Sequence, residues 1–407
     1  MNCRHCKDKV DQPFLDLGCA PPSNAYLTKE DLHRPEVYYP LRLFVCTNCW
    51  LVQTEDFAQA TELFRADYAY FSSTSITWLD HAEKYCDSIT KRLSLNQESF
   101  VIEVASNDGY LLKNFVKAGI SCLGIEPTEG TAQVAEQQGI PVLRQFFGEA
   151  LGKQLANSGR KADLILGNNV YAHVPDINDF TRGLASLLKT QGVVTLEFPH
   201  LMRLVELRQF DTVYHEHFSY LSLQTVQCIF ECAGLRIFDV EELETHGGSL
   251  RVYGCLSEAA YKQTPKVKGI LDEEDRRGMM SKCWYASFQK EAEQVKDSLV
   301  SFLLEQKRLG KKVAAYGAAA KGNTLLNFAG VKKDLLPFVC DAAKAKQGKF
   351  MPGSRIPILP PKALLDQPLD YLLILPWNIA TEVKQQNARL RELGTKFVTA
   401  VPELVIA

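Results

Sequence analysis

At 407 residues the chain is too long for one ordinary core, and about 150 residues per domain points to two or three domains. A composition of 46% hydrophobic and 23% charged residues, with 25 Gly and 18 Pro, excludes disordered, collagenous and coiled-coil chains. Lys+Arg 46 against Asp+Glu 48 leaves −2, without the positive excess that grips a phosphate backbone, so no nucleic-acid partner is expected. The opening Met1-Asn2-Cys3-Arg4-His5-Cys6 has no apolar h-region, and no apolar run nears the roughly 20 residues that span a bilayer. These features predict a soluble, cytoplasmic protein with no membrane partner, and a monomer.

Residues 1–70 read as short strands and turns. Strand-like runs cover 14–18 and 39–45, and Pro21-Pro22-Ser23-Asn24 is a turn or loop. So small a unit needs a staple. Four of the 12 cysteines form two Cys-x-x-Cys pairs, Cys3/Cys6 and Cys46/Cys49. Brought together, they give four thiolates in tetrahedral array, a structural zinc site with no open position, or alternatively a redox dithiol pair. The other eight stand mostly alone in apolar surroundings and read as small buried hydrophobes.

Across 71–255 the pattern turns to helix–strand alternation. Helices are predicted over 78–93, 110–118 and 131–138, and strands over 100–104, 121–125, 141–143, 162–166 and 192–197. Such alternation predicts a parallel, doubly wound sheet, whose ligands bind beyond the carboxyl ends of the strands. Residues 256–309 read as a helical connector, with helical spacing over 291–306. Alternation restarts in 310–407 with strands at 312–317, 338–341, 371–375 and 396–399, a second and smaller Rossmann-like unit.

The first strand of the central unit enters its helix through Glu103-Val104-Ala105-Ser106-Asn107-Asp108-Gly109. A dinucleotide loop would read Gly-x-Gly-x-x-Gly so that pyrophosphate can approach the backbone. Here an acid precedes small and polar residues ending in Gly109. That resembles the first motif of class I S-adenosylmethionine (SAM) methyltransferases, with Ala105 and Asn107 in place of two glycines. SAM carries no pyrophosphate, and an acid beside the loop can meet its cationic amino group. Glu126, followed by Pro127, ends the next strand, where a carboxylate can accept both ribose hydroxyls. Asn168-Asn169 ends the fourth, facing the methionine part. An NAD site, or a plain α/β turn, is the alternative.

Only eight histidines occur, and His215 and His217 alternate within Phe210-Asp211-Thr212-Val213-Tyr214-His215-Glu216-His217-Phe218-Ser219-Tyr220. His173 and His200 follow the fourth and fifth strands, facing the same crevice. A packed Tyr-His-Glu-His run is a costly way to build a core. His beside Glu can tune a pKa near neutrality, as a proton-abstracting base needs. Metal ligation and structural hydrogen bonding are the alternatives, although alternate residues on an extended segment converge poorly on one ion.

The two Cys pairs, Tyr68-Ala-Tyr70-Phe-Ser-Ser73, the loop 103–109, Gly124-Ile-Glu-Pro127, Tyr214-His-Glu-His-Phe-Ser-Tyr220, His246-Gly-Gly-Ser-Leu-Arg251 and Tyr316-Gly-Ala-Ala-Ala-Lys-Gly-Asn323 occur in this order. As an ordered set covering essentially the whole chain, they resemble the nucleotide-sugar C-3 methyltransferases of deoxysugar biosynthesis. Ala105 departs from the Gly usual there. The resemblance implies an α/β protein with a small N-terminal zinc-binding domain, a central class I SAM methyltransferase Rossmann-like domain and a smaller C-terminal Rossmann-like domain. It implies SAM and structural Zn2+ as cofactors and a nucleoside-diphosphate 4-keto-6-deoxyhexose as substrate.

In that chemistry a ketone at C-4 acidifies the C-3 hydrogen, a base removes it, and the enolate carbon takes the methyl group. The matching motifs make Tyr68, Tyr70, His173, Tyr214, Glu216 and His217 catalytic candidates. Among them His217 is predicted as base, Tyr214 as enolate stabiliser and Glu216 as the group that sets the imidazole tautomer. Glu103, Ala105, Ser106, Asn107, Gly109, Glu126, Pro127, Asn168 and Asn169 are the cofactor candidates. Tyr316, Gly317, Lys321, Gly322 and Asn323 form a strand-to-helix turn suited to a diphosphate, through amides, a helix N-terminus and the Lys321 charge. A tight turn with a solvated Lys is the plain alternative. Asp341, Asn378 and Arg251 complete the substrate candidates. An O- or N-methyltransferase acting on a sugar nucleotide is the nearest rival, and a zinc-bearing scaffold with degenerate Rossmann units a further one.

Overall fold

The computed structural model describes residues 1–57 and 71–407. Tyr68 and Tyr70, and the expected boundary at residue 70, lie outside the described residues. Alternating apolar positions form β1 (Gln12–Ala20), β2 (Tyr39–Val45) and β3 (Val52–Thr54), an antiparallel sheet in which Leu15, Leu17, Leu41, Leu43 and Val45 all point into the core.

After helix Ile76–Leu93 the chain builds β4 (Phe100–Val104), β5 (Ser121–Ile125), β6 (Val142–Leu143), β7 (Ala162–Asn168) and β8 (Leu188–Pro199). These near-continuous apolar runs pair in parallel because helices cover both faces. The chain then returns to the first sheet with β9 (Ser219–Tyr220), antiparallel to β3, before β10 (Leu235–Leu243) and β11 (Ser249–Leu256) finish the central one. The central order is β10-β11-β8-β7-β4-β5-β6. The expectation of a wholly parallel sheet is corrected here. β11 runs antiparallel to both β8 and β10, because a hairpin, not a helical crossover, joins the last two strands.

Helices Pro265–Arg276 and Phe288–Arg308 follow. Phe288 stacks on Phe14 at 5.1 Å between ring centroids, so the long helix is packed against the first sheet. A third sheet contains β12 (Val313–Tyr316), β13 (Val339–Cys340), β14 (Ile358–Leu359), β15 (Tyr371–Ile374), β16 (Lys396–Thr399) and β17 (Val405–Ile406). Its order is β14-β13-β12-β15-β16-β17, parallel except for the last strand. One apolar cluster runs from Leu41 and Leu43 through Phe210 and Val213 to Leu325 and Leu373, which fixes the first and third sheets about the segment carrying Tyr214 to His217. No helix among the described residues is long and apolar enough to cross a membrane.

Candidate active site and zinc centre

Each Cys-x-x-Cys pair occupies a tight knuckle, Lys7 and Trp50 taking positive φ of 67° and 60° just after the second cysteine. The knuckles bring Cys3 Sγ within 3.5 Å of Cys49 Sγ, and Cys6 Sγ within 3.5 Å of Cys46 Sγ. All four sulfurs lie within 4.8 Å of one another. Among the described residues this is the only such gathering of metal-ligating side chains. The hydrogen bond with Cys3, then burial, holds the Cys49 thiol above its usual range. Four adjacent thiols are a fit donor set for a closed tetrahedral zinc site.

The knuckle also aims a residue that sequence reasoning missed. Arg4, between two ligands, is 6% exposed and donates to the carbonyls of Phe218 at 3.2 Å, Pro175 at 3.0 Å and Thr54 at 3.3 Å. It also pairs with Asp56 and lies over the Phe218 ring. Phe218 follows His217 and Pro175 lies two residues past His173, so the zinc knuckle is bolted to both histidine-bearing loops.

Beyond the carboxyl end of β4, the loop takes positive φ at Ala105 (57°), Asn107 (49°) and Gly109 (78°). A Cβ at Gly109 would lie 2.4 Å from Ile140 Cδ1, so glycine is required there. Ala105 adopts the left-handed region at a cost that a glycine would not bear. Glu126, buried at the end of β5, organises this loop. Its Oε2 accepts the Asn107 N–H at 2.9 Å and its Oε1 the Thr128 N–H at 2.9 Å. Pro127, half-buried, continues that turn. Ser72 and Ser73 amides cap the Asn107 and Asp108 side chains at 2.9 and 3.1 Å.

Around this loop Glu103 Oε2, Asp108 Oδ1, Ser106 Oγ, both side-chain polar atoms of Asn168 and Asn169 Oδ1 are buried without a partner. Burial, reinforced by Asp108 and Glu126, pushes the Glu103 carboxyl well above the usual carboxylate range. Three acids and three unmet polar side chains suit a cationic, hydrogen-bonding ligand. SAM, with its ammonium and sulfonium charges, fits that description. The sheet order with its reversed strand, and an acid-rimmed loop after β4, define a class I methyltransferase.

Next to the loop, Glu197 at the end of β8 accepts His81 Nε2 at 2.9 Å, Arg251 Nη2 at 2.7 Å and the Thr245 hydroxyl at 2.9 Å. Although burial opposes ionisation, His81 and Arg251 hold this carboxyl down to about 2. Arg251, expected to touch substrate, pairs with Glu197 and with Glu241 at 3.4 Å and stacks over Tyr85.

The histidine cluster converges only partly as predicted. His217 and His173 meet edge to face at 4.5 Å between centroids, and Tyr214 lies 4.0 Å from the His217 ring. His217 Nδ1 donates to the Thr212 carbonyl at 3.1 Å, and His173 Nδ1 to the Glu216 carbonyl at 2.8 Å. A carbonyl can only accept, so each ring keeps its Nε2 lone pair. Burial holds His173 down to about 4 and His217 well below the ordinary histidine value, so both are neutral at pH 7.

The structure corrects three expectations. Thr212, not the Glu216 carboxylate, sets the His217 tautomer, while Glu216 turns to Asn24 at 3.2 Å. His215 points away to the Tyr39 carbonyl at 3.3 Å. His200, expected in the crevice, is turned inward. Its Nε2 lies 2.7 Å from Glu274 Oε1, and the same carboxylate accepts the Leu223 and Gln224 amides at the start of a helix.

The third sheet brings a different surprise. At the 316–323 turn the Gly317, Ala318 and Ala319 amides donate to Cys340 O, Asp341 Oδ2 and Gly317 O at 2.7, 2.7 and 2.8 Å. The expected diphosphate cradle is therefore closed at these amides. A Cβ at Gly317 would lie 2.3 Å from Pro376 Cδ and one at Gly322 2.8 Å from Leu375 Cδ1, so close packing explains both glycines. Asn323, fully buried, donates to Ser23 O at 2.7 Å, and Asp341 also accepts the Ala343 amide at 2.8 Å. Tyr316 reaches Gln386 Oε1 at 3.4 Å. Lys321 donates to Asn378 Oδ1 at 3.1 Å and rests 4.6 Å from the Trp377 ring centre. Trp377 Nε1 in turn donates to Asp211 Oδ2 at 2.7 Å.

Family models match three successive stretches: "Putative zinc binding domain" over residues 3–64, "Methyltransferase domain" over 78–240, and "C-methyltransferase C-terminal domain" over 244–402. The C-methyltransferase NovU of Streptomyces niveus is 33% identical over 401 residues, spanning 98% of this chain and 95% of that protein. The ubiquinone biosynthesis O-methyltransferase of Bartonella quintana is 27% identical over 95 residues, 23% of this chain and 38% of that one. Among solved structures, the 1,6-didemethyltoxoflavin-N1-methyltransferase of Burkholderia thailandensis aligns with a TM-score of 0.38 at 14% identity, covering 52% of this chain and 97% of that one. The chain belongs to the SAM-dependent C-methyltransferase family, with an N-terminal zinc-binding domain.

Proposed function

We propose that the enzyme methylates C-3 of a nucleoside-diphosphate 4-keto-6-deoxyhexose through an enolate. SAM, held by the 103–109 loop, Glu126 and Asn168-Asn169, supplies an electrophilic methyl carbon. The chain's own part is to make the sugar carbon nucleophilic. His217, its Nδ1 proton tied to the Thr212 carbonyl, offers Nε2 as the base for the C-3 proton. Removing that proton is feasible because the adjacent ketone spreads the charge onto oxygen. Burial that keeps the imidazole neutral preserves the lone pair at working pH. His173 packs edge-on to it and limits its rotation, and Tyr214 lies against it at a 38° tilt.

The observation that supports this reading most is that pair of carbonyl-capped, neutral histidines beside an acid-rimmed methyltransferase loop. A 4-keto sugar needs a base but no metal-bound water, and the zinc cluster is tied up in four thiolates. The nucleotide is assigned to the third sheet on the strength of its Rossmann-like order and of Asp341 and Asn378 at strand ends. The test is mass spectrometry of products from a panel of TDP-, GDP- and CDP-linked 4-keto-6-deoxyhexoses incubated with SAM. One of them gains a single methyl group, mapped to C-3. Methylation confined to oxygen or nitrogen, or to none of the panel, overturns the reading.

A further inference from the structure

Lys321 comes from the third sheet's first helix, Ala320–Phe328, far in sequence from the histidines. The structure nevertheless ties it to them through a short chain of contacts. One turn along that helix, the Thr324 hydroxyl donates to the Val213 carbonyl at 2.8 Å, immediately before Tyr214. The Trp377 ring beneath the Lys321 ammonium is fixed by Asp211, whose neighbour Thr212 holds the His217 imidazole. A Cβ at Gly247 would lie 2.4 Å from the Trp377 ring, which places residue 247, beside His246, against the same indole. His246 in turn accepts the Asn169 side-chain amide at 3.1 Å, on the methyltransferase side of the crevice.

This position does not match the turn's expected partner. An ammonium has three N–H donors. Among the described residues one of them is met, by Asn378 Oδ1, and Asp211 is the carboxylate that acts on Lys321 through its charge. Asp211 uses Oδ2 on Trp377, and its Oδ1 is buried without a partner. Lys321 is half-buried, as are Trp377 and Asn378, which it touches, and Tyr214 and His173, which pack on His217. A cation with two unclaimed donors, on a rigid aromatic platform beside a general base, is the arrangement that stabilises an oxyanion. A flexible surface lysine neutralising a phosphate would need neither the platform nor the burial.

We propose that Lys321 is a catalytic residue that donates a hydrogen bond to the enolate oxygen at C-4, and that it does not serve the diphosphate. The proposal rests on the function proposed above. When the C-3–H bond breaks, the proton goes to His217 Nε2, and its electron pair forms the C-3–C-4 double bond. The carbonyl pair moves onto O-4, where Lys321 meets the negative charge without giving up its proton. On methylation the O-4 pair re-forms the ketone while the C-3–C-4 π pair bonds the methyl carbon, and the S–CH3 pair of SAM leaves on sulfur as S-adenosylhomocysteine. Burial depresses both His246 and His217, and the charge of Lys321 adds to it in the same direction. Burial, partly offset by Asp211, brings Lys321 itself down to about 8.

The experiment measures exchange of the C-3 hydrogen with solvent deuterium in the absence of SAM. It uses whichever TDP-, GDP- or CDP-linked 4-keto-6-deoxyhexose the wild-type enzyme exchanges fastest. Lys321→Met lowers exchange at saturating sugar nucleotide by about 10²–10³-fold, the usual effect of losing one oxyanion donor. Affinity for the matching free nucleoside diphosphate, and for SAM, stays within threefold. Lys321→Arg retains most of the exchange. It also removes a high-pH decline that the wild type shows above about pH 8, because a guanidinium keeps its charge. Among the described residues, the titratable groups that interact with Lys321 are Asp211, His217 and His246, and burial keeps both histidines neutral across that decline.

Should Lys321→Met fail to fold, the wild-type and Lys321→Arg profiles at high pH carry the test alone. Undiminished exchange in Lys321→Met, a loss of tenfold or more in nucleoside-diphosphate affinity with exchange at saturation unchanged, or matching pH profiles for wild type and Lys321→Arg would overturn the assignment. Failure of the wild type to exchange any of the sugars removes the proposed function itself.

Discussion

Replacing Arg4 by methionine tests whether the zinc knuckle positions the catalytic histidines. Arg4 is 6% exposed and spends its guanidinium on three buried or half-buried carbonyls, those of Phe218, Pro175 and Thr54. Hydrogen bonds to a charged group contribute about 1.5–3 kcal/mol each. Three of them sum to roughly 4–9 kcal/mol, an upper bound, since neighbouring bonds are not additive and water can reach part of the site. Arg4→Met leaves these carbonyls unmet at about 1–3 kcal/mol each where water cannot reach them, so a loss of about 3–5 kcal/mol is expected. The ion pair to Asp56 adds little, because that carboxylate is 61% exposed.

The two loops so released carry His217 and His173, and a misplacement of about 1 Å at a reacting group costs on the order of 100-fold in rate. The assays are urea unfolding, zinc content and C-3 exchange of the sugar nucleotide. Arg4→Met keeps one zinc per chain, loses stability in that range and loses exchange, while SAM affinity holds. Arg4→Lys falls between, having the charge without the fork. If Arg4→Met unfolds at the wild-type urea concentration and exchanges at the wild-type rate, the knuckle does not position the histidines.

The remaining predictions are independent of Arg4. Protein purified without chelator contains one zinc per chain by elemental analysis, and stripping it destabilises the N-terminal sheet; a metal-free protein of full stability would refute the centre. His217→Asn keeps most of the shape but no basicity, so C-3 exchange and kcat fall by about 10²–10⁴-fold while calorimetry finds SAM binding intact. Burial holds the His217 imidazole below its ordinary value, so the base is already neutral at pH 6. The exchange rate stays level between pH 7 and 6 and falls only at lower pH, whereas a decline centred on about 6.5 would indicate an unperturbed, exposed histidine. Glu126→Ala frees the Asn107 and Thr128 amides and removes the proposed ribose acceptor. It weakens SAM binding by about 10²-fold, the worth of one or two charge-assisted bonds, and unchanged affinity would take Glu126 out of the site.

Local signals made the scaffold legible. The strands over residues 39–45, 100–104, 121–125 and 396–399 have the predicted bounds, because each is a short apolar run closed by turn residues. The cysteine quartet was legible from spacing alone, as was the acid-flanked loop. β10 and β11 were not, because an antiparallel hairpin at the sheet edge mixes Glu241, Glu242 and Arg251 with apolar residues and lacks the continuous run of a buried parallel strand.

The side-chain geometry of the site was legible only in part. Tyr214, His217 and His173 carried a motif signal, but the groups that orient them come from elsewhere in the chain. Thr212 acts through a backbone carbonyl, which no residue type announces. Arg4 reads as a spacer inside a zinc knuckle, and Trp377 as one more aromatic near a strand end. Lys321 suggested phosphate because its local sequence is a strand-to-helix turn, and its real neighbours, Trp377 and Asn378, lie more than fifty residues away. Glu216 misled for the opposite reason. Adjacency suggested that it serves His217, but residues 214–217 form a turn, closed by the His217 N–H on the Tyr214 carbonyl at 3.0 Å, and Glu216 goes to Asn24 instead.

The most direct test of the account follows a single deuterium. A 4-keto-6-deoxyhexose nucleotide labelled with deuterium at C-3 is incubated with the enzyme and SAM, and the methylated product is weighed by mass spectrometry. C-methylation through an enolate requires the product to gain one methyl group and lose the deuterium in the same molecule. A methylated product that keeps its deuterium would contradict the account, because carbon methylation cannot leave that bond intact.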